Sequence, residues 1–253
     1  MACSIIYYVD PHSGKIYVAN NEDYWYDTKA YIQFEPASNG KYSRLWYGWD
    51  DFAQGGVNEH GLFFDAASTP RQEIPEGFSN PNGRNVGDEV LAFCKTVTEA
   101  INYLEMERIA VSEGHLMFGD GEGNAAVVEW VGGNIRVVRM KGNYLMATNF
   151  LLTEPDQNAT PCPRYRAMSQ RMSQMAAKGE ELDMNNVANV LGEAVQPARE
   201  DASGRVGGTL YSTFINISDM KMVLVPRLDN SKALTFDLKE EFKGGKRVRI
   251  KLQ

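Results

Sequence analysis

Cysteine and histidine are both scarce in this chain of 253 residues, which contains three of each. They are Cys3, Cys94 and Cys162, and His12, His60 and His115. Three cysteines cannot form the disulfide framework of a small secreted domain, and their spacing matches no metal cluster. The histidines lie far apart in the sequence and form no HExxH pair. The sequence therefore predicts a protein without a metal site.

Basic residues are outnumbered, and long apolar runs are missing. The chain has 26 Lys and Arg against 33 Asp and Glu, a formal net charge of -7. This balance gives no reason to expect a nucleic acid or an anionic membrane as partner. No run approaches the ~18 apolar residues of a transmembrane helix. There is no internal repeat and no charged linker, so we expect one domain over residues 1–253.

Segments of aromatic and β-branched residues open the chain, with turn residues between them. CSIIYYV and GKIYVAN flank DPHSG, which predicts a β-hairpin. GGVNEHGLFFDAAS predicts a second strand pair that turns at NEHG. Further strands are predicted in HLMFGD, NAAVVEWV, NIRVVRM, YLMATNF, TLYSTFINI, KMVLVP and KALTFDL, and a solvated strand in GGKRVRIK.

Apolar residues recur at helical spacing in two blocks. GDEVLAFCKTVTEAINYLEME contains a break near residues 96–98, where a second helix could be capped. The other block is PRYRAMSQRMSQMAAKG followed by MNNVANVLGEAV. Strands and helices therefore alternate in groups, with mostly hairpin connections between strands. This order predicts an α+β domain in which helices lie outside two antiparallel sheets.

Cys3 is the cysteine whose position suggests chemistry. If the two residues before it were removed, its thiol and a free α-amino group would share one residue. An α-amine titrates near ~7.7–8.0 and a thiol near ~8.5, so the amine could serve as the base that activates the thiol. We interpret Cys94, within an apolar helical face, and Cys162, between prolines, as structural residues.

Asp23 lies in the cluster ANNED, beyond the turn of the first predicted hairpin. The returning strand could bring its carboxylate beside the amino group of Cys3. There it would orient the amine and stabilise the protonated form during proton transfer. Asn and Asp also favour turns, so a simple turn cluster is the alternative interpretation.

Five motifs follow one another in the order found in a known family. They are Cys3 with ANNED, QGGVNEHGLFF, GDGEGNAAVVEW, ATNF and CPRYRA. With this series the chain resembles the choloylglycine hydrolase group of N-terminal-nucleophile hydrolases. That group cleaves linear amide C–N bonds and includes bile salt hydrolases and penicillin V acylases; the acyl-CoA:6-aminopenicillanate acyltransferases are relatives. The resemblance implies a four-layer αββα sandwich with Cys3 as the nucleophile.

The resemblance also implies roles for three further residues. Asp23 corresponds to the aspartate that contacts the amino group of the nucleophile. Asn149, in ATNF, corresponds to an asparagine that helps to stabilise the tetrahedral oxyanion, where one amide N–H donor is typically worth ~2.7–4 kcal/mol. Arg164, in PRY, corresponds to an arginine that supports the site electrostatically, since a guanidinium stays charged at any working pH.

Two positions depart from the pattern of the family. Bile salt hydrolases carry an arginine where this chain has Asn20, which cannot supply a fixed positive charge to an anionic substrate. Near Ser68 the relatives place an Asn or Tyr at the oxyanion site, so Ser68 or adjacent backbone N–H groups would have to serve. We therefore treat Asn20 and Ser68 as candidate substrate-binding residues, and bile salts as one substrate class among several.

Other conspicuous residues have simpler interpretations. We expect His60 to be a turn residue, His115 to be a structural histidine, and Asp120 and Glu129 to belong to turn and sheet architecture. The aromatic residues at positions 24–26, 46, 47 and 49 could line an apolar acyl pocket or could fill the core.

The dipeptide Met1-Ala2 keeps the nitrogen of Cys3 in an amide bond. We expect either an export signal that ended in Ala, with Met1 added later, or a short propeptide removed by self-cleavage. Export would place the protein in the periplasm or outside the cell. A bacterial lipoprotein site is the rival, and an acylated Cys3 amine could not act as a base.

Together these features predict a hydrolase of a small N-acyl amide that works through an acyl-thioester on Cys3, without metal or organic cofactor. Acyl transfer to an amine is the alternative among enzymes. A non-catalytic or lipid-anchored binding protein on the same fold is the alternative outside them. A homo-oligomer is left open.

Overall fold

The computed structural model describes residues 2–154, 162–179 and 183–252. Strands and helices are numbered in chain order. The first antiparallel sheet has the order β10-β1-β2-β12-β13-β14, with β11 paired to β12. Its strands are β1 (Ala2–Val9), β2 (Ile16–Trp25), β10 (Tyr144–Ala147), β11 (Arg199–Glu200), β12 (Val206–Asn216), β13 (Lys221–Pro226) and β14 (Leu234–Asp237).

The second antiparallel sheet has the strand order β15-β3-β4-β5-β6-β7-β8-β9. Its strands are β3 (Tyr31–Glu35), β4 (Arg44–Trp49), β5 (Phe52–Asn58), β6 (Phe63–Ser68), β7 (Gly114–Gly119), β8 (Ala125–Val131), β9 (Asn134–Arg139) and β15 (Val248–Lys251). The helices are α1 (Val86–Phe93), α2 (Val97–Met106), α3 (Pro163–Lys178), α4 (Met184–Gly192), α5 (Leu238–Lys243) and a 3₁₀ turn at Asn230–Lys232.

Strand β1 is apolar on both faces because both faces are covered. Ile5 and Tyr7 point into the core between the two sheets, whereas Ile6 and Tyr8 pack on the outer face of the first sheet. The outer cover comes from α3 and α4. A half-solvated strand would alternate apolar and polar residues, so the continuous apolar run is the mark of a strand buried in the middle of a sandwich.

The helices form the two outer layers. Met168, Met172 and Met175 of α3 recur at helical spacing and pack on the first sheet together with α4. Helices α1 and α2 pack on the outer face of the second sheet, against side chains such as Phe64 and Phe118. The result is an αββα sandwich, and the predicted α+β fold class is confirmed.

Several predicted turns and caps are present. The hairpin of β5 and β6 turns at NEHG, where Gly61 adopts φ +79°, a left-handed conformation that glycine tolerates. Helix α2 begins after Thr96, whose Oγ1 accepts a hydrogen bond from the Glu99 N–H at 3.2 Å. Helix α5 was not predicted: it follows β14 directly and is capped by Asp237, which accepts from the Glu240 N–H.

Candidate active site

Cys3 lies at the start of β1, directly opposite Glu22 of β2 in the antiparallel register, and Ala2 is opposite Asp23. Paired residues project to the same face of a sheet, and for Cys3 and Glu22 that face is the core between the sheets. Cys3 is 5% exposed. The first hairpin therefore brings the ANNED cluster back to the nucleophile candidate, as the sequence predicted.

The backbone of Cys3 is held by two side chains from other parts of the fold. Its N–H donates to Asn149 Oδ1 at 2.8 Å, and its carbonyl oxygen accepts from Arg164 Nη1 at 2.6 Å. Arg164 Nη2 also donates to Asn149 Oδ1 at 2.8 Å. Asn149 follows the end of β10, and Arg164 lies in the first turn of α3, so the edge of the first sheet and a covering helix meet at Cys3.

Asp23 is buried beside this cluster. One oxygen, Oδ1, accepts from Thr209 Oγ1 at 2.6 Å, and the other lies 3.8 Å from Arg164 Nη1. Burial raises the pKa of Asp23 to about 7, although the Thr209 hydrogen bond and the charge of Arg164 both act to lower it. Cys3, Asp23, Asn149 and Arg164 are thus brought together, and their catalytic roles stay predictions.

The amide of Asn149 points differently from the expectation. Its oxygen faces the nitrogen of Cys3, and its Nδ2 donates to the carbonyl oxygen of Ser68 at 2.8 Å. The reason is that the Cys3 N–H and Arg164 both need an acceptor, which leaves the N–H₂ group to face the end of β6. In this arrangement the Asn149 amide connects Cys3 and Ser68 through one hydrogen bond to the backbone of each.

Glu22 contacts the nucleophile candidate, and the sequence analysis missed it. Cys3 Sγ donates to Glu22 Oε1 at 3.1 Å, and Glu22 Oε2 has no hydrogen-bond partner among the described residues. Burial raises the pKa of Glu22 to about 8. Burial, followed by Glu22, raises the pKa of the Cys3 thiol well above its ordinary value. This pair follows from the strand register, which depends on the exact length of the hairpin turn and is known only once the fold is known.

Asn20 does not reach the surface of the site. Its side chain is completely buried and lies deeper in the sandwich, where Nδ2 donates to Asp65 Oδ1 at 3.3 Å. Tyr47 donates to the other oxygen of Asp65 at 2.9 Å. Asn20 pairs with Ile5, two residues along β1 from Cys3, which explains its depth. Its Oδ1 accepts from Thr213 Oγ1, so both ends of the amide are engaged inside the sandwich and the side chain is not available to a substrate.

A cavity of about 190 Å³ opens beside Cys3. Its wall consists of Cys3, Glu22, Tyr24, Trp49, Gln54, Ala66, Ala67, Ser68, Val111, Glu113, Gly114, His115 and Leu116. Ser68 therefore lines it, as expected of a substrate-binding candidate. Some of the aromatic residues line this cavity, and others fill the core. Tyr24 and Trp49 lie on the wall with ring centroids 4.5 Å apart, whereas Trp46 and Tyr47 fill the core.

The remaining conspicuous residues mostly have the expected structural roles. Asp120 accepts hydrogen bonds from the backbone of its own turn and, through Oδ2, from the Val97 N–H of α2 at 3.0 Å. His60 lies in the β5–β6 turn. His115 and Glu129 form a buried pair, with Nδ1 and Oε1 3.0 Å apart.

Among residues 2–154, 162–179 and 183–252, no cluster of three or more His, Cys, Asp or Glu side chains could hold a metal ion. In the same residues, no helix combines the length and the apolar character needed to span a bilayer.

Comparison with known proteins agrees with this geometry. The sequence profile of the family described as acyl-coenzyme A:6-aminopenicillanic acid acyl-transferase matches residues 9–229. Penicillin V acylase of Pectobacterium atrosepticum is 27% identical over 188 residues, which are 59% of this chain and 49% of that relative. The match thus spans about half the length of that relative.

Two solved structures have the same fold over nearly their full length. The C2A mutant of conjugated bile acid hydrolase from Clostridium perfringens has a TM-score of 0.78 at 17% identity, covering 100% of this chain and 97% of its own. Penicillin V acylase from Agrobacterium tumefaciens has a TM-score of 0.71 at 16% identity, covering 94% and 87%. With the family profile spanning most of the sequence, this chain belongs to the acyl-coenzyme A:6-aminopenicillanic acid acyl-transferase family.

Proposed function

We propose that this protein is a cysteine N-terminal-nucleophile amidohydrolase that cleaves the linear amide bond of a small N-acyl substrate. The observation that carries the proposal is the setting of the Cys3 nitrogen. It lies 2.8 Å from Asn149 Oδ1, and its residue is held through the carbonyl oxygen by Arg164. The partner of residue 2 across the hairpin is Asp23, so an α-amine at Cys3 would have a carboxyl group nearby.

The amine becomes a base only when the Ala2–Cys3 peptide bond is absent, because an amide nitrogen has no basic lone pair. In the active form the α-amine takes the thiol proton of Cys3, and the thiolate attacks the substrate carbonyl carbon. The tetrahedral intermediate collapses when the ammonium returns the proton to the leaving nitrogen, which departs as an amine. Water then attacks the acyl-thioester, the acid leaves, and the thiol is restored.

The surrounding side chains support these steps in different ways. Arg164 fixes the Cys3 carbonyl and neutralises nearby carboxylate charge. Asn149 orients the amine through Oδ1, and the second N–H of its Nδ2, which the Ser68 carbonyl does not use, can donate to the oxyanion. Glu22, whose pKa is raised to about 8 by burial, is mostly neutral at neutral pH, so it does not oppose formation of a thiolate as a carboxylate would.

The size of the cavity favours a compact acyl group. At about 190 Å³ it is smaller than the ~300–1,000 Å³ typical of sites for drug-sized ligands. Its wall carries aromatic rings from Tyr24 and Trp49 but no lysine or arginine among the described residues. Conjugated bile acids, which are large and anionic, fit this wall less well than N-acyl homoserine lactones or phenoxyacetyl amides, which are smaller and uncharged.

Acyl transfer is the second candidate, because the matching family is described as an acyl-transferase. The acyl-thioester on Cys3 would be the same, and an amine would replace water as acceptor. Adding acceptor amines to a reaction at fixed substrate distinguishes the two: a transferase accumulates the new amide, whereas a hydrolase releases the acid at an unchanged rate.

The test uses forms of the chain that differ only at the N-terminus. Deleting Ala2 leaves Met-Cys, from which removal of the methionine exposes Cys3. We expect this form to hydrolyse a panel of N-acyl amides, and the same form with Cys3→Ala to be inactive. Full activity of Cys3→Ala, or of a form whose mass proves an intact Ala2–Cys3 bond, contradicts the proposal.

A further inference from the structure

His115 lies on the wall of the cavity that Cys3 opens into, and its side chain is completely buried. It belongs to β7 and is paired with Ala67 of β6, one residue before Ser68. Ser68 is in turn joined to Asn149, which holds the Cys3 nitrogen. A short chain of contacts therefore connects His115 to the nucleophile, through residues that surround one small cavity.

One ring nitrogen of His115 is firmly engaged. Nδ1 lies 3.0 Å from Glu129 Oε1, and the Glu129 carboxylate also accepts from the Leu152 N–H at 2.7 Å and from the Thr153 N–H at 3.0 Å. Thr153 Oγ1 donates as well, at 2.6 Å. Burial alone would raise the pKa of Glu129, but the hydrogen bonds from His115 and Thr153 outweigh it and hold that pKa below its ordinary value. An ionised Glu129 requires a proton on Nδ1, which fixes the ring.

The other ring nitrogen, Nε2, has no hydrogen-bond partner among the described residues. Leaving a buried polar atom unpaired costs about 1–3 kcal/mol, so such atoms call for an explanation. No described side chain or backbone group satisfies this buried nitrogen, and His115 borders the cavity beside Cys3. Because the cavity beside it is the one that would receive the substrate, a substrate group is the natural partner of Nε2.

The charges around the cavity limit which kind of substrate group can pair with His115 Nε2. The described wall residues include the carboxyl groups of Glu22 and Glu113 and no lysine or arginine. A carboxylate on the substrate would find no lysine or arginine on the described wall to compensate its charge. A purely hydrocarbon chain would leave Nε2 unpaired. A hydroxyl group can both accept and donate, so it satisfies Nε2 whether or not that nitrogen carries a proton.

We propose that His115 is a specificity-determining residue of the acyl pocket, and that its Nε2 hydrogen-bonds a hydroxyl group on the acyl chain. The protein then prefers hydroxyacyl amides over unsubstituted acyl amides of the same length. This proposal rests on the proposed amidohydrolase function, since it names the acyl class which that site accepts.

The kinetic test compares matched pairs of N-acyl amides that differ only in one hydroxyl, placed at successive carbons of the acyl chain. For the form that begins at Cys3, we expect kcat/KM to favour the best hydroxyacyl amide by about tenfold or more, as one well-placed hydrogen bond allows. In His115→Phe this ratio should fall to about one. Absence of a preference in the unchanged protein, or its survival in His115→Phe, overturns the proposal.

A binding test separates this proposal from the proposed function. In Cys3→Ala protein, which cannot turn over, calorimetry with the uncharged hydroxyacyl amide and with the unsubstituted acyl amide measures the same preference without catalysis. A ¹⁵N-labelled histidine signal for Nε2 should shift with the hydroxyacyl amide only, and this readout needs no substitution at His115. Equal affinity for the two amides and an unmoved Nε2 signal would reject the role of His115, whatever the enzyme hydrolyses.

Discussion

At the scale of single residues, the site depends on how a few buried polar groups share protons. Burial, followed by the neighbouring carboxyl group of Glu22, raises the pKa of the Cys3 thiol well above its ordinary value, so the thiol stays neutral when its nitrogen is an amide. Cys162 is in a different setting, at the N-terminus of α3. Burial would raise the pKa of the Cys162 thiol, but the neighbouring Thr148 hydroxyl, the backbone N–H groups of the helix N-terminus and the charge of Arg164 outweigh it and lower that pKa.

This contrast predicts an order of thiol labelling. With the Ala2–Cys3 bond intact, a small alkylating reagent at neutral pH should modify Cys162 before Cys3, because only thiolates react and Cys162 is also the more exposed. Peptide mass spectrometry over a time course gives the two rates. When the chain starts at Cys3 the order should reverse, with Cys162→Ser as the control that isolates the Cys3 signal. Faster labelling of Cys3 in the intact form would contradict this account.

The sequence indicated which residues meet but not how they face one another. Cys3, Asp23, Asn149 and Arg164 could be selected from motifs, because motifs record residue type and order. The Cys3–Glu22 contact and the direction of the Asn149 amide depend on strand register and on competition for acceptors. Neither is visible without the fold.

At the scale of elements, helix α3 positions Arg164 and anchors it through methionines. Met168 is completely buried, and Met172 and Met175 follow it on the same face. The apolar spacing in PRYRAMSQRMSQMAAKG predicted this helix. Strands β3 and β4 and helix α5 were not predicted, because short segments of mixed periodicity are decided by tertiary packing.

Truncating Met168, the buried side chain that anchors α3, should therefore lower the stability of the fold. We expect Met168→Ala to lower the free energy of unfolding by about 2–5 kcal/mol, the usual cost of removing a buried Met side chain. Gln170→Ala, on the exposed side of the same helix, is the control and should change it by less than about 0.5 kcal/mol. Urea titration measures the free energy of unfolding of both variants. Equal effects of the two substitutions would show that α3 is not anchored through Met168.

At the scale of the whole molecule, the buried carboxyl groups make stability depend on pH. The pKa of Glu22 is about 8 in the folded protein, against an ordinary value of 4.5. Between these values the folded chain keeps a proton that the unfolded chain has lost. Since the folded state binds more protons, the free energy of unfolding falls as pH rises through this window.

We therefore expect the thermal midpoint of unfolding to decrease as pH rises from 5 to about 8, the range set by the pKa of Glu22. Glu22→Gln cannot ionise, so its midpoint should fall less steeply, with part of the slope kept because burial also raises the pKa of Asp23. Glu105→Gln, on the exposed surface of α2, is the matched control and should follow the unchanged protein. Parallel curves for the Glu22→Gln variant and the unchanged protein would show that Glu22 is ionised in the folded state.

The central claim is that catalysis proceeds through an acyl-thioester on Cys3, and the most direct measurement is to trap this intermediate. The form that begins at Cys3 is mixed with an N-acyl amide, quenched in acid within its first turnovers, and analysed by intact and peptide mass spectrometry. The account predicts the added mass of one acyl group on the peptide that starts at Cys3, labile to hydroxylamine as a thioester, and absent in Cys3→Ala. Steady turnover without an acyl group on Cys3, or acylation of Cys162 instead, would contradict it.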